Sequence, residues 1–318
     1  MKNFIEFLLQ YNSSHNLNLP LVEEDEQFPL MVSVVLKYWG EDSIDRIGSS
    51  KFETSKTLYE GLKIAEKKGF TYFIYKGSLS DIKKRVDQAI PPIVIFPGLY
   101  NLIQHAILVS GYNSDEKRIV TYVPQPNTEG FIPESKFESQ WKQEDYVTII
   151  MLPNDMKNII KNDNLKCLNS NMVCFEAEND FLTGKIDSAI NKLDKVLDDD
   201  NDCARAWSML GSCYSEKNNS KAVNCFEKAI SINPYYYLAF RGLGNFFLKN
   251  KNYSKAEIYY SDAIAIDPDR YGPIYKNRAF VRLNLNKNPQ AKEDLILYLK
   301  KTPYAQDKDT IEGTIQKI

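Results

Sequence analysis

The feature that most constrains how this chain folds is an internal repeat in its second half. Residues 206–234 are followed by a similar segment at 239–268, and the two terminal prolines, Pro234 and Pro268, lie 34 residues apart. Small and aromatic residues recur at matching positions: Gly211 and Gly244, Ala222 and Ala256, Phe226 and Tyr260, Ala229 and Ala263. This period predicts stacked pairs of antiparallel helices, because small residues let the helices approach and proline ends each second helix.

The pattern resembles the tetratricopeptide repeat, and the resemblance extends over about 170–304. Two weaker copies flank the central pair: 175–201 ends in Asn201 instead of proline, and 275–303 ends in Pro303. End repeats diverge because their outer faces must be polar or capped. We therefore expect a separate all-α solenoid of about four repeats over 170–304, a C-terminal cap at 305–318 and a linker at 153–169.

Repeats of this kind present a concave groove that binds peptides or another domain. The helix positions expected to face the groove carry polar side chains: Arg205, Ser208, Ser212, Arg241, Asn245 and Lys276. Arg241 and Asn245, with Asn277, are similar to the carboxylate clamp of chaperone-binding members, but basic residues from a third repeat are missing. An ordinary solvated face is the alternative. We predict that Arg241, Asn245 and Lys276 bind a partner protein in the repeat groove.

The order of the predicted elements in the first half, residues 1–152, indicates a separate α+β domain, because helices come first and strands follow. Pro29 suits the first turn of an apolar helix, and Gly69 suits the end of the next one. Either Ser78 or Ser80 can cap a third helix. The predicted elements are helices at 28–40, 54–69 and 78–90, a strand at 70–77, a short strand within 91–99, two strands within 105–126, and a helix followed by a strand within 133–152.

These elements resemble the papain fold, in the branch of the double-glycine (bacteriocin-processing) cysteine peptidases and their acyl-transferring relatives, over about 15–152. That family opens a helix with Cys-Gly-Pro, where this chain has Gln27, Phe28 and Pro29 before Tyr38-Trp39-Gly40. Its catalytic histidine begins a strand that ends in Gly-Tyr, as His105 does before Gly111-Tyr112, and its closing helix matches "FESQW" at 137–141.

The resemblance implies a site with Gln27 at the nucleophile position, His105 as the catalytic histidine, Gln125 as the amide that orients it, and Trp39 lining the pocket. A glutamine amide has no ionisable proton, so Gln27 cannot replace the thiolate of a cysteine enzyme. Two further departures are Leu21 in place of an oxyanion-hole glutamine, and Val123 or Gln125 in place of the carboxylate. We therefore expect no turnover from the chain as written.

Two interpretations stay open. In the first, which the retained His105 favours, the protein is a papain-fold thiol acyltransferase or amide synthetase in a biosynthetic pathway. Its substrate is a peptide or an acyl group on a carrier protein, and Gln27 replaces a native cysteine. In the second, it is a natural pseudopeptidase or adaptor that binds a peptide or partner protein through the inactive cleft and the repeat groove. A pure scaffold, whose first domain only docks onto the repeats, is a third possibility.

Composition and charge limit the classes of partner, metal and cofactor that we expect. The formal net charge is −2 with the signs interspersed, so we expect no nucleic acid and no membrane as partner. The five cysteines all follow residue 152 without a CxxC pair, and the chain has only 2 histidines. We therefore expect no metal, no cofactor, and a cytoplasmic protein with reduced thiols. The stretch 1–19 is interpreted as a docking helix, not a signal peptide, and His15 as a turn residue.

Overall fold

The computed structural model describes residues 14–22, 29–41, 54–98, 102–124 and 129–318. These residues fall into two compact units. The first unit contains the described residues up to Ile95 together with 106–141 and 146–168. The second contains 96–105, 142–145 and 169–318. The predicted docking helix lies mostly outside the described residues, and the domain limits given above stay predictions.

The first unit is built on an antiparallel sheet. The described residues form seven strands in the order β2-β7-β3-β4-β5-β6, and β1 pairs with β4. The pair β2 and β7 at one edge of the sheet is rich in β-branched and aromatic residues, and its register places Ile74 opposite Ile149, both fully buried. The strands are β1 (Ser14–Asn16), β2 (Phe70–Lys76), β3 (Ile93–Pro97), β4 (Gln104–Asn113), β5 (Arg118–Tyr122), β6 (Glu129–Pro133) and β7 (Val147–Pro153).

Helices of the first unit begin and end where local signals predict. The Ser78 hydroxyl accepts the backbone N–H of Asp81 at 3.2 Å, which confirms Ser78 as the cap over Ser80. Gly69 has a φ of +89°, the left-handed conformation that follows a helix end. The helices are α1 (Leu30–Tyr38), α2 (Thr54–Lys67), α3 (Leu79–Asp87) and α4 (Glu134–Trp141), with a 3-10 turn at Asn154–Ile160. Another 3-10 turn, Lys142–Glu144, belongs to the second unit.

His15 is not a turn residue, and this prediction was wrong. It lies in β1 opposite Tyr112 of β4, and the two rings stack with centroids 4.6 Å apart. Its Nδ1 lies 2.8 Å from the Asp87 carboxylate. The neighbouring serine and asparagine residues are typical of turns, whereas the strand depends on pairing with a segment about a hundred residues away in the chain.

The helices of the second unit form a solenoid of antiparallel helix pairs. Alanines at the helix crossings, among them Ala222, Ala256 and Ala263, are fully buried. A Cβ added at Gly244 would lie 2.6 Å from the ring of Tyr260, so the close approach predicted from the sequence is present. The helices are α5 (Leu168–Leu182), α6 (Ile186–Leu197), α7 (Ala204–Glu216), α8 (Lys221–Ile232), α9 (Tyr237–Lys249), α10 (Tyr253–Ile266), α11 (Pro273–Asn284), α12 (Asn288–Lys301) and α13 (Lys308–Lys317).

Among the described residues, neither the cysteines, nor groups of metal-ligating side chains, nor the apolar helices form an additional functional site. All five cysteines are free thiols, and Cys174, Cys203, Cys213 and Cys225 are buried like small hydrophobic residues. In the described ranges, no cluster of three or more His, Cys, Asp or Glu side chains could hold a metal ion. Within those same ranges, no helix has the length and apolar character needed to span a bilayer.

Candidate functional site

The structure places the predicted site residues in different parts of the chain. Gln27 and Gln125 lie outside the described residues, so their pairing with His105 stays a prediction. Trp39 belongs to the first unit, where its indole N–H donates to the Met151 carbonyl at 3.1 Å. Its ring packs on a buried apolar cluster that includes Tyr75. These contacts describe a structural role for Trp39.

His105 is the second residue of β4 and belongs to the second unit. Its ring meets Phe96 edge-on, with centroids 6.2 Å apart. Burial lowers the pKa of the imidazole, and the charge of Arg270 lowers it further, while a hydrogen bond with the Pro97 backbone acts in the opposite direction. Its Nδ1 is buried and has no hydrogen-bond partner among the described residues. The lowered pKa favours the neutral form of the imidazole, and one of its nitrogens is uncommitted.

The predicted groove residues of α9 and α11 differ in whether their polar groups already have a partner within the protein. The Asn245 amide oxygen accepts the Tyr260 hydroxyl at 2.8 Å, and the Lys276 ammonium bonds to Asp307 at 2.8 Å. The Arg241 guanidinium lies over the Tyr271 ring, 5.0 Å from its centroid. Within the described part of the chain, Arg241 has no carboxylate partner. Of the three residues, Arg241 therefore retains its charge for a ligand.

Two other residues predicted to face the groove are buried. Arg205 is 8% exposed and Ser208 is 4% exposed. The Arg205 guanidinium bonds to Glu178 at 3.2 Å and lies 4.2 Å from the centroid of the Phe175 ring. Arg205 thus stabilises the packing of α5 against its neighbours and is not a free cation. Sequence position alone could not show this, since the pairing partner comes from another repeat.

The four residues Lys142–Asp145, which we name the docking segment, bond extensively within the second unit and were not predicted from the sequence. Its last residue, Asp145, bonds to the solenoid at two places, Ala204 and Asn233. One carboxylate oxygen accepts the N–H of Ala204 at 3.1 Å, at the start of α7, and the other accepts the Asn233 amide at 3.2 Å. The same amide donates to the Lys142 carbonyl at 2.7 Å. Asn233 therefore holds both ends of the docking segment.

The middle of the docking segment forms a buried ion pair with the repeats. Glu144 pairs with Arg270, and both side chains are fully buried. Gln104 also donates to Glu144, and Arg270 donates to the Gln143 side chain at 3.3 Å. Burial raises the pKa of Glu144, against the lowering effects of Arg270 and Gln104. Removing either member of such a pair leaves an uncompensated buried charge, which costs about 3–5 kcal/mol.

The repeat residues that hold the docking segment lie in the turns between helices. Asn233 and Asp267 each precede the proline that ends a repeat, and Asp267 accepts from the Gln143 amide at 3.2 Å. The ammonium of Lys142 lies 3.6 Å from the centroid of the Tyr235 ring. A polar residue before each repeat proline was the available sequence signal. The sequence of the docking segment itself, "KQED", is typical of a solvated loop and does not indicate these contacts.

The matching family is the tetratricopeptide repeat, whose model covers residues 204–236 and 242–270. Anaphase-promoting complex subunit 3 of Schizosaccharomyces pombe (strain 972 / ATCC 24843) is 28% identical over 87 residues, which is 27% of this chain and 13% of that protein. Protein bimA of Emericella nidulans (strain FGSC A4) is 27% identical over 82 residues, which is 26% of this chain and 10% of that protein. This chain thus spans only a small part of either relative.

Among solved structures, PilF of Pseudomonas aeruginosa is similar with a TM-score of 0.43 and 20% identity, over 47% of this chain and 68% of that one. A TPR protein of Thermus thermophilus is similar with a TM-score of 0.41 and 14% identity, over 51% of this chain and 88% of that one. The family match and the helix pairs with their small-residue crossings lead to one conclusion. The solenoid of this chain contains tetratricopeptide repeats at residues 204–236 and 242–270.

Proposed function

We propose that this protein is an adaptor that binds a partner protein through its tetratricopeptide repeats. The observation that carries the proposal is a helix face with a half-buried charged group and an exposed apolar group. Arg241 of α9 has no carboxylate partner among the described residues, and Phe280 of α11 is 52% exposed. Aromatic residues and arginine are the side chains that contribute most at protein interfaces. One relative is by its name a subunit of a protein complex, which fits this class.

Repeat alignment supports a common face for these residues. Ala279 of α11 occupies the position of Gly244 in α9, so Phe280 corresponds to Asn245 and Lys276 corresponds to Arg241. Corresponding positions of successive repeats line the same surface of a solenoid. A partner segment with an apolar side chain and an acidic side chain would match Phe280 and Arg241. The partner's identity is part of the proposal to be tested.

Site-specific crosslinking tests this proposal. A photoreactive benzoylphenylalanine in place of Phe280 should crosslink a discrete partner in cell extract. The matched control carries the same group at Ile258, which is 57% exposed on the second helix of its repeat. The proposal requires a product that forms from position 280 and is much weaker from position 258. Equal products from both positions, or no product from position 280, would contradict it.

A second candidate, the papain-like thiol acyltransferase or amide synthetase, is supported by His105. A neutral buried imidazole with an uncommitted Nδ1 at the start of a strand is what the resemblance implies for a catalytic histidine. In that chemistry a thiolate attacks the acyl carbonyl, the thiol of the donor leaves, and the imidazole carries the proton between them. The present residue at the nucleophile position, Gln27, cannot perform the attack.

Restoring a thiol tests this second candidate. The Gln27→Cys protein, mixed with a simple acyl thioester, should gain the mass of one acyl group in an intact-protein mass spectrum. Gln27→Cys with His105→Ala should acylate far more slowly, because the proton acceptor is lost. If both proteins acylate at the same rate as the exposed Cys of a denatured control, the enzyme interpretation fails and the adaptor remains.

A further inference from the structure

We propose that the inter-repeat turns form a recognition surface for an acidic turn of a partner protein, and that the docking segment occupies this surface as an internal competitor. The turn surface consists of Ala204, Asn233, Asp267 and Arg270. This inference rests on the proposed adaptor function, since the competing segment would come from the bound partner. It concerns a surface different from the α9 and α11 face that carries Arg241 and Phe280.

The contacts between the docking segment and the repeats are complete. Every residue of the docking segment has a partner on the repeats: Lys142 on Asn233 and Tyr235, Gln143 on Asp267, Glu144 on Arg270, and Asp145 on Ala204 and Asn233. Backbone, amide and charged groups of the repeats all take part. A binding site recognises a short segment through such a set of directional bonds to four consecutive residues.

The turn surface requires a negative charge in the segment that it binds. Arg270 is 1% exposed, and its guanidinium lies 4.1 Å from the centroid of the Tyr237 ring. A guanidinium buried to this degree needs a carboxylate, because an unpaired charge in the interior is strongly unfavourable. Glu144 supplies that carboxylate in this chain. Any segment that replaced the docking segment would therefore have to carry an acidic side chain at the same place.

The docking segment ends in an unfavourable backbone conformation. Asp145 has a φ of +52° and the following Tyr146 has a φ of +58°. Two consecutive residues other than glycine in the left-handed region are unfavourable, and they persist only where their surroundings enforce them. The docking segment therefore binds the turn surface at a conformational cost. A partner segment with the same carboxylates and a relaxed backbone would avoid that cost and could displace it.

A peptide titration on the full chain tests the proposal. The probe is a fluorescein-labelled peptide with the sequence of residues 140–147, acetylated and amidated, and its binding is followed by anisotropy. Glu144→Gln with Asp145→Asn weakens the internal segment without changing its size. We expect this double variant to bind the probe at least about tenfold more tightly than the unmodified protein, since tenfold corresponds to the loss of one good charged contact.

Two controls make the result specific. Asp115→Asn with Glu116→Gln removes an equally acidic pair from an exposed turn and should leave probe binding as weak as in the unmodified protein. A probe that carries Gln and Asn in place of its Glu and Asp should not bind the double variant. If the folded double variant binds the acidic probe no better than the unmodified protein, or binds both probes equally, the proposal is wrong.

The single variant Asp145→Asn decides the question if the double variant does not fold. It keeps the buried Glu144 and Arg270 pair, and asparagine tolerates the left-handed conformation. Probe binding that is tighter than in the unmodified protein supports the proposal, and unchanged binding overturns it. The titration uses no natural partner. Its failure therefore leaves the Phe280 crosslink unaffected, and failure of that crosslink leaves the titration interpretable.

Discussion

At the scale of single residues, the repeats depend on glycines that admit an aromatic ring. A Cβ at Gly244 would lie 2.6 Å from Tyr260, whereas one at Gly313 of α13 would meet no atom within 4 Å. We expect Gly244→Ala to lower the free energy of unfolding by about 1–3 kcal/mol through overpacking. Gly313→Ala should raise it by about 0.5–1 kcal/mol, because alanine is the better helix former. Urea unfolding of both variants checks the pair, and equal effects would contradict the packing account.

His105 makes the stability of the second unit depend on pH. Its pKa in the folded protein lies below the ordinary 6.5, so the unfolded chain binds a proton more readily. The stability that this residue contributes is therefore complete above pH 6.5 and is lost as the pH falls through the lowered pKa. We expect the difference in unfolding free energy between the unmodified protein and His105→Gln to decrease in that window. A difference that does not change between pH 7 and pH 5 would contradict the burial of a neutral imidazole.

At the scale of elements, the sequence predicts structure well where the signal is local. Ser78 caps α3 as expected, and Gly69 follows α2. The strand β1 was missed because its pairing with β4 is non-local, and the surrounding Ser14 and Asn16 indicate a turn. The docking segment was missed for the same reason, since its partners lie in repeats more than fifty residues further along the chain. Contacts between residues so far apart in the chain cannot be predicted from local sequence signals.

The cap of α3 gives a test at this scale. Replacing Ser78 by alanine removes the acceptor for the Asp81 N–H, and we expect the free energy of unfolding to fall by about 1 kcal/mol. Ser78→Asp, which keeps an acceptor at the same position, should retain most of the stability. Thermal or urea unfolding distinguishes the two variants. A loss of the same size in both would show that the hydroxyl acts in another way, for example through its contact with Ser80 at 2.9 Å.

At the scale of the whole molecule, the repeats predicted from the sequence are present in the structure. The 34-residue period carried enough information to predict the solenoid, because each repeat uses the same small and aromatic residues. The candidate site was predictable only in part. Arg241 keeps a charge without a carboxylate partner among the described residues, whereas Asn245 and Lys276 are engaged by Tyr260 and Asp307. Those partners come from other helices and cannot be inferred from position.

The central claim is that the α9 and α11 face of the repeats binds a partner protein. The most direct test measures the dissociation constant of the crosslinked partner for the unmodified chain, Phe280→Ala and Arg241→Glu, with Ile258→Ala as the control. We predict that Phe280→Ala and Arg241→Glu each weaken binding by about tenfold or more, as for side chains at the centre of an interface. Ile258→Ala should leave it unchanged. If all three variants bind as tightly as the unmodified chain, the partner does not use this face and the account is wrong.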